Sequence, residues 1–243
     1  MRLFIDCSAG ASKDNIAGSL ADLLDDPAEI GRMLDSSGIP GIEAIVSEEK
    51  RNGTSGTRIR ILIGGKEEGQ SHEHVHRKLS DVIDVISGLK ISDRVKEDAA
   101  AIYRIIAEAE AGVHGESVDN VHFHEVGSLF AVAYVIAACM AVDKLSPNRI
   151  IASPIRTGFG QICCAHGILP VPAPATASIL MGIPNHPGDE EEEFCTPTGA
   201  AIVKHFAENF TEPEGTVPVR QGYGIGRKES ATVPFLRAVL YED

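Results

Sequence analysis

The sequence predicts an α/β protein with a mixed sheet packed against helices. Short segments in which apolar and polar residues alternate are typical of strands. Longer segments in which apolar residues recur at helical spacing predict several helices between them. Hydrophobic residues make up 43% and charged residues 23% of the 243 residues, which is typical of a globular protein with a substantial core. A chain of this length forms one large domain or two small ones.

The first third of the chain predicts strands and helices in alternation. The predicted strands are 2–6, 43–47 and 58–63, and the predicted helices are 14–24 and 27–34. The polar, glycine-rich segment 64–70 then favours a boundary between domains. We therefore expect a small N-terminal α/β subdomain over 1–65 and a main α/β domain over 71–243.

The main domain is predicted to be richer in helix. Ser71 is a suitable N-cap for a helix over 72–86. Further predicted helices cover 92–113, 128–145, a short segment ending near 180, and a segment from 196 to about 210. Extended structure is expected over 118–124 and 150–167, and two final strands over 216–219 and 233–241. These last strands should flank the glycine run Gly222-Tyr223-Gly224-Ile225-Gly226, which lacks the following helix of a dinucleotide fingerprint.

Charge and cysteine content exclude several classes of function. A net charge of −13 argues against nucleic acid and anionic membranes, because phosphate binding needs clustered Lys and Arg. The first six residues turn polar too soon for a signal peptide. The apolar run 129–142 is too short to span a bilayer and predicts a buried helix. Five scattered cysteines indicate no disulfide framework, so we expect a cytoplasmic protein.

A first candidate metal site is His122-Phe123-His124-Glu125. In an extended segment, residues two apart point to the same face, so both imidazoles could reach one metal ion. Glu125, at the turn into the next helix, could be a third ligand or a base. The structural alternative is two partly exposed histidines that bond to the backbone.

A second histidine cluster comprises His72, His74 and His76. On a helix, His72 and His76 would share a face, whereas on a strand all three would. The alternative is a solvated polar helix start. Together the two clusters supply more ligands than one metal site needs, which suits capture and transfer of a metal.

Two further motifs could contribute to a site. Cys164-Ala165-His166 places a soft sulfur near a nitrogen donor, a combination that suits Ni, Zn or Cu better than Mg. Thr196-Pro197-Thr198-Gly199 opens a predicted helix and offers hydroxyls and amides for a phosphate or carboxylate, although an ordinary N-cap explains it equally well. The acidic run 189–193 is expected to be a solvated loop.

Seven stretches match one known family in order along the chain. They are Asp6-Cys7 with Gly10, Ser12 and Asp14, then 76–82, 107–111 with 113–115, 121–127, 166–176, 196–201 and 222–226. On these residues the chain resembles the N-terminal part of the LarC family, the pyridinium-3,5-bisthiocarboxylic acid mononucleotide nickel insertion proteins.

The resemblance implies insertion of nickel, or another divalent metal, into a pyridinium mononucleotide that carries two thiocarboxylates. This reaction consumes CTP and forms the carbon–nickel bond of the lactate racemase cofactor. The metal ligands would come from His72, His74, His76, His122, His124 and Glu125, with Glu125 and His166 as catalytic groups. Asp6, Asp14, Thr196, Thr198 and Gly199 would hold the substrate and its phosphate. Expected partners are the mononucleotide, a separate C-terminal subunit that carries the CTP site, and further copies of the chain.

The resemblance also has departures, and they leave other functions open. Family members usually carry aspartates at the positions of Phe130 and Tyr134, and usually read Ser-Gly-x-Ser-Gly-Asp-Met where this chain has residues 9–15. The loss of acidic groups near metal-bound histidines favours an alternative, a degenerate paralogue that binds metal or ligand in a regulatory or structural role. A weaker alternative is a generic zinc hydrolase.

Overall fold

The computed structural model describes residues 1–70, 76–164, 167–215, 217–228 and 235–242 and has the mixed α/β architecture that the sequence predicts. The helices are α1 Lys13–Asp22, α2 Ala28–Ser36, α3 Leu79–Gly88, α4 Asp93–His114, α5 Leu129–Leu145, α6 Pro174–Ile179 and α7 Pro197–Phe206. The strands are β1 Arg2–Asp6, β2 Ile42–Arg51, β3 Thr54–Ile63, β4 Lys66–Glu67, β5 Arg77–Lys78, β6 His122–Phe123, β7 Arg149–Ala152, β8 Ile155–Arg156, β9 Gln161–Cys164, β10 Gly167–Pro170, β11 Asn185–His186, β12 Asn209–Phe210, β13 Pro218–Ile225 and β14 Phe235–Tyr241.

The large sheet has the strand order β12-β7-β1-β14-β13-β3-β2, with β4 paired to β3. Its centre is mixed, because β1 runs parallel to β7 and antiparallel to β14. Strands from both sides of the predicted boundary at 64–70 join this one sheet, since β13 pairs with β3. The division into two domains stays a prediction.

Helices α1, α2, α5 and α7 pack against strands of the sheet. Helix α1 packs against β13, β3 and β14, and α5 packs on α1. The chain can bring α1 this close to β13 because Gly222 and Gly224 face the helix. A β-carbon at Gly224 would overlap the carbonyl oxygen of Asn15, and one at Gly222 would lie 2.5 Å from the carbonyl oxygen of Ser19. The glycine run is therefore a packing device within β13.

Helix α5 is the buried apolar helix that the sequence predicts. Its residues from Phe130 to Val142 are all buried, and Ser128 caps its N-terminus by accepting a hydrogen bond from the Ala131 N–H. No helix in the described segments is long and apolar enough to cross a membrane.

Two predicted helix boundaries are wrong for the same reason: residues predicted to be helical form strand pairs instead. Helix α3 begins at Leu79 rather than near 72, because Arg77–Lys78 pairs with His122–Phe123. Helix α7 ends at Phe206 rather than near 210, because Asn209–Phe210 pairs with β7.

The acidic run is also less solvated than expected. Glu190 pairs with Arg156 at 3.0 Å, and burial raises the pKa of Glu193, with Lys228 and Lys13 opposing that rise. This segment is held against the body of the protein by Phe194, whose N–H donates to the Thr157 carbonyl.

Candidate functional site

The two histidine clusters meet at a short antiparallel strand pair. In this pair Arg77 lies opposite Phe123 and Lys78 lies opposite His122. Directly beyond this pair lie His76, before β5, and His124, after β6. Their ring centroids are 4.7 Å apart with an interplanar angle of 76°. Segments separated by more than forty residues in sequence thus bring two imidazoles into contact. The metal candidates His72 and His74 lie outside the described residues.

The alternation of side chains gives this strand pair two distinct faces. Phe123 points inward and is buried, whereas His122 is exposed and His124 is half-buried. His122 and His124 line the same cleft, as expected for residues two apart in an extended segment. Lys78, directly opposite His122, lines that cleft too.

This histidine cleft has a volume of about 550 Å³ and lies beside the end of α4. The residues that line it are Lys78, His114, Glu116, Asn120, Val121, His122 and His124. His114 stands in the last turn of α4, with its Nε2 atom 3.5 Å from Glu110 Oε2. A carboxylate beside an imidazole restrains the orientation of the ring.

The inward face of the strand pair holds the histidine motif in place. The guanidinium of Arg77 donates to the Gly127 carbonyl at 2.8 Å, and the Tyr103 hydroxyl donates to the Val126 carbonyl at 3.0 Å. Gly127 packs so closely that a β-carbon there would lie 2.6 Å from the Phe123 β-carbon. The histidine motif and the turn after it are therefore held from the inward face of the strand pair, by residues that do not line the cleft.

Arg77 and Tyr103 support the candidate site through the Gly127 and Val126 carbonyls, and reasoning from the sequence missed them. Arg77 lies in one of the matching stretches, which is a signal that it matters but not of what it contacts. Tyr103 is fully buried, and burial raises the pKa of its hydroxyl far above the ordinary value. Its only sequence signal is an aromatic residue on the apolar face of α4.

Glu125 begins the 3₁₀ turn Glu125–Gly127 that joins the histidine segment to α5. Its side chain is exposed, and its carbonyl accepts a hydrogen bond from Ser128, the N-cap of α5. The carboxylate is therefore one residue from His124 in a turn anchored at both ends. Its role as base or ligand stays a prediction.

Among the described residues, no group of three or more His, Cys, Asp or Glu side chains is arranged to hold a metal ion. Within these described residues, His76 and His124 form a contacting pair of imidazoles. His166, a predicted catalytic residue, lies outside the described residues.

The predicted substrate-binding residues occupy a different place, where several loops meet. Asp6 accepts from the Arg237 guanidinium at 2.7 Å and 3.1 Å. The Thr196 hydroxyl caps α7 by accepting from the Gly199 N–H at 3.2 Å, and the Thr196 N–H donates to the Ala11 carbonyl at 3.1 Å.

Thr198 and Gly199 continue this packed arrangement. Thr198 is buried, and a β-carbon at Gly199 would overlap the carbonyl oxygen of Ala11. The N-terminus of α7 is thus closed by the loop that precedes α1. Its assignment to phosphate stays a prediction.

Asp14 is the centre of this second region. Its carboxylate accepts hydrogen bonds from the Ser12 hydroxyl, from its neighbour's N–H (Asn15, 3.0 Å) and from the Arg227 N–H at 2.6 Å. Burial alone raises the pKa of Asp14, but the charge of Lys13 and these hydrogen bonds outweigh it, so the pKa lies below its usual range.

The departures from the family pattern fall at the same point. Lys13 forms an ion pair with Glu68 at 3.0 Å, and its ammonium lies 5.8 Å from the centre of the Tyr134 ring. The Tyr134 hydroxyl donates to the Ile59 carbonyl at 2.9 Å, and burial raises its pKa. We call Ser12, Lys13, Asp14, Glu68, Tyr134 and Arg227 the Asp14 junction.

Phe130 is also part of the packed interior, with 7% of its surface exposed, the same fraction as Tyr134. The two aromatic residues of α5 therefore complete the core. That family members carry acids at these positions stays a prediction. Neither aromatic residue lines the histidine cleft.

Comparison with known proteins relates nearly the whole chain to one family. The family model described as "Nickel insertion protein" matches residues 3–243. A pyridinium-3,5-bisthiocarboxylic acid mononucleotide nickel insertion protein from Geobacillus kaustophilus is 37% identical over 99% of this chain and 60% of its own length. One of the same name from Clostridium kluyveri is 38% identical over 99% of this chain and 62% of its own length.

A putative nickel insertion protein from Dictyoglomus thermophilum is 36% identical over 99% of this chain and 60% of its own length. The chain therefore spans about 60% of the length of the curated relatives it matches. No solved structure matches the chain significantly.

Proposed function

Because the chain belongs to the nickel insertion protein family, we propose that it takes part in inserting Ni(II) into pyridinium-3,5-bisthiocarboxylic acid mononucleotide. The observation that carries this proposal is the contact between His76 and His124, which joins the two histidine clusters beside an open cleft. The alternative of a degenerate paralogue is not favoured, because relatives along nearly the whole chain are named as nickel insertion proteins.

Capture of nickel falls to the histidine face of the strand pair. Imidazole is a good ligand for Ni(II), and His76, His122 and His124 supply three on or beside one cleft. His72 and His74, a few residues before His76, are proposed to complete the coordination. An ion that must be handed to a substrate is better held by a few exposed imidazoles than by a closed set of ligands. The exposure of His76 and His122 suits such transfer.

Insertion then requires loss of a proton from the pyridinium ring. Nickel forms its bond to the ring carbon between the two thiocarboxylates, the carbon–hydrogen bond breaks, and its electron pair passes to the nickel. We assign the released proton to Glu125, next to His124, and give His166 a second acid–base role. This assignment is supported by the position of Glu125, which directly follows His124 and begins a turn that Arg77 holds at Gly127.

The CTP-dependent part of the reaction is proposed to lie in the region of the longer relatives that this chain does not match. A separate C-terminal subunit that carries this region would then act with the chain. The mononucleotide would be held between the two.

Nickel titration by calorimetry tests the metal site directly. The double variant His122→Ala/His124→Ala should bind Ni(II) at least tenfold more weakly than the wild type, because it removes two of the proposed ligands. The matched control is His186→Ala, since His186 is an exposed histidine on β11, outside the histidine cleft. Equal affinity in the wild type and the double variant would refute the metal site.

A second experiment tests insertion itself. The wild-type chain, supplied with the C-terminal region of a relative, CTP, Ni(II) and the substrate, should form the nickel-containing product, which mass spectrometry detects. Glu125→Gln should retain nickel affinity and lose product. Nickel binding without product in the wild-type mixture would instead support the paralogue.

A further inference from the structure

We propose that the histidine cleft also binds the phosphate of the mononucleotide, with Lys78 as its principal partner. This inference rests on the proposed function. It assigns the substrate's anionic end to Lys78, which lies in the matching stretch 76–82 but is not among the residues that the sequence predicts for the phosphate. The amide of Asn120 and the imidazole of His114 are the further donors on the same cleft.

The strand pairing sets Lys78 next to the metal ligands. Lys78 and His122 are cross-strand partners, and both line the cleft. Their neighbours Arg77 and Phe123 belong to the other face, where Arg77 is engaged with Gly127. Lys78 is thus directed toward the cleft by the same alternation that directs His122.

The local charge differs from that of the whole protein. The chain carries a net charge of −13, yet the cleft combines the Lys78 ammonium and three imidazoles with a single carboxylate, Glu116. None of the ion pairs formed between described residues includes Lys78. Helix α3 begins at the next residue, Leu79, but its N-terminus is already capped by Asp81, whose carboxylate accepts from the Lys78 N–H at 2.8 Å. The phosphate is therefore assigned to the Lys78 side chain and not to the end of the helix.

The dimensions suit a mononucleotide. A cleft of about 550 Å³ falls within the range of sites for small molecules. His76 and Lys78 are two residues apart on one face, so their positions differ by roughly 7 Å along the strand. A ribose bridges a comparable distance between a pyridinium ring and a phosphate. The ring would then lie near His76 and His124 while the phosphate lies near Lys78.

The N-terminus of α7, the site first predicted for the phosphate, is less open. The Gly199 N–H donates to the Thr196 hydroxyl, and the Thr196 N–H donates to Ala11. An anion there would have to displace these bonds and the loop packed on Gly199.

Calorimetry without metal tests the assignment, with nicotinate mononucleotide as a pyridinium mononucleotide probe and nicotinate riboside as the same probe without phosphate. Lys78→Ala should weaken mononucleotide binding at least tenfold and riboside binding less than twofold. Lys78→Arg should keep most of the mononucleotide affinity, because it restores the charge. The control Lys90→Ala, an exposed lysine outside the cleft, should change neither by more than twofold.

Three outcomes would overturn the proposal: no preference of the wild type for the mononucleotide, an equal effect of Lys78→Ala on both probes, or a loss of the phosphate preference in Thr196→Val but not in Lys78→Ala. If Lys78→Ala lowers the melting temperature, Lys78→Gln replaces it in the same comparison. The nickel affinity of the histidine variants is measured separately. A negative result with the mononucleotide probes would therefore leave the metal site unaffected, and a negative result in the nickel titration would leave the phosphate contact unaffected.

Discussion

The histidine cleft and the Asp14 junction both contain motif residues of the family, but they use their polar groups in opposite ways. In the cleft, Lys78, His122 and Asn120 line a space open to solvent. In the junction, the polar groups bond to other groups of the protein: Asp14 accepts three hydrogen bonds and Lys13 pairs with Glu68. A motif residue can therefore serve a ligand in one place and loop closure in the other.

Two of the predicted departures from the family pattern, at Lys13 and Tyr134, lie in the junction and not among the residues that line the cleft. Lys13 and Tyr134 lie within cation–π distance of each other. The two predicted departures are therefore neighbours in space, and neither lines the histidine cleft. That these positions usually hold a glycine and an aspartate in the family stays a prediction.

The largest expected effect comes from adding a methyl group at the N-terminus of α7, where Gly199 packs on the loop that precedes α1. Gly199→Ala should lower the free energy of unfolding by about 3 kcal/mol or more, because the added methyl overlaps the Ala11 carbonyl and neither backbone segment can retreat. Chemical denaturation measures the change. Gly112→Ala, at a helical position with open space around it, should instead stabilise the protein by about 0.5–1 kcal/mol. Equal effects of the two substitutions would contradict the close packing at the N-terminus of α7.

A pH-dependent effect of intermediate size is expected at Asp14. Its pKa is lower in the folded protein than in the unfolded chain, so ionised Asp14 stabilises the fold above the unfolded pKa of about 4. This contribution is lost as the pH falls through the folded pKa. Asp14→Asn should therefore cost about 1–2 kcal/mol at pH 7, through weaker acceptance from Ser12 and Arg227, and progressively less in acid.

The measurement for Asp14 is urea denaturation of wild type and variant between pH 7 and pH 3. The control is Asp119→Asn, because Asp119 is exposed in the loop after α4 and should show no pH-dependent difference. A constant difference between wild type and Asp14→Asn across this pH range would refute the ionised carboxylate.

The smallest effects come from two buried tyrosines, one beneath each region. Tyr103→Phe and Tyr134→Phe each remove one hydrogen bond to a backbone carbonyl, Val126 and Ile59 respectively, and should each cost about 1 kcal/mol. Only Tyr103 supports the turn after the histidine motif, so only Tyr103→Phe should also weaken nickel binding, by a few-fold. Similar nickel affinities in both variants would remove the positioning role of Tyr103.

The local elements were largely predictable because their signals are local. The apolar run of α5 and the caps Ser92, Ser128 and Thr196 specify helix starts within a few residues of those observed. The errors occur where a residue pairs with a strand that is distant in sequence. Lys78 joins a strand with His122 instead of extending α3 toward the N-terminus, and Asn209 joins β7 instead of extending α7.

By itself the sequence determined the α/β class, the buried helix and the residue types of the site, since periodicity, capping residues and the His122-x-His124-Glu125 spacing depend only on neighbours along the chain. The tertiary structure alone decided that His76 contacts His124, that Lys78 shares their cleft, and that Lys13 meets Tyr134. Each of these contacts joins residues from separate elements. Their proximity is set by strand pairing and helix packing, which a one-dimensional pattern does not contain.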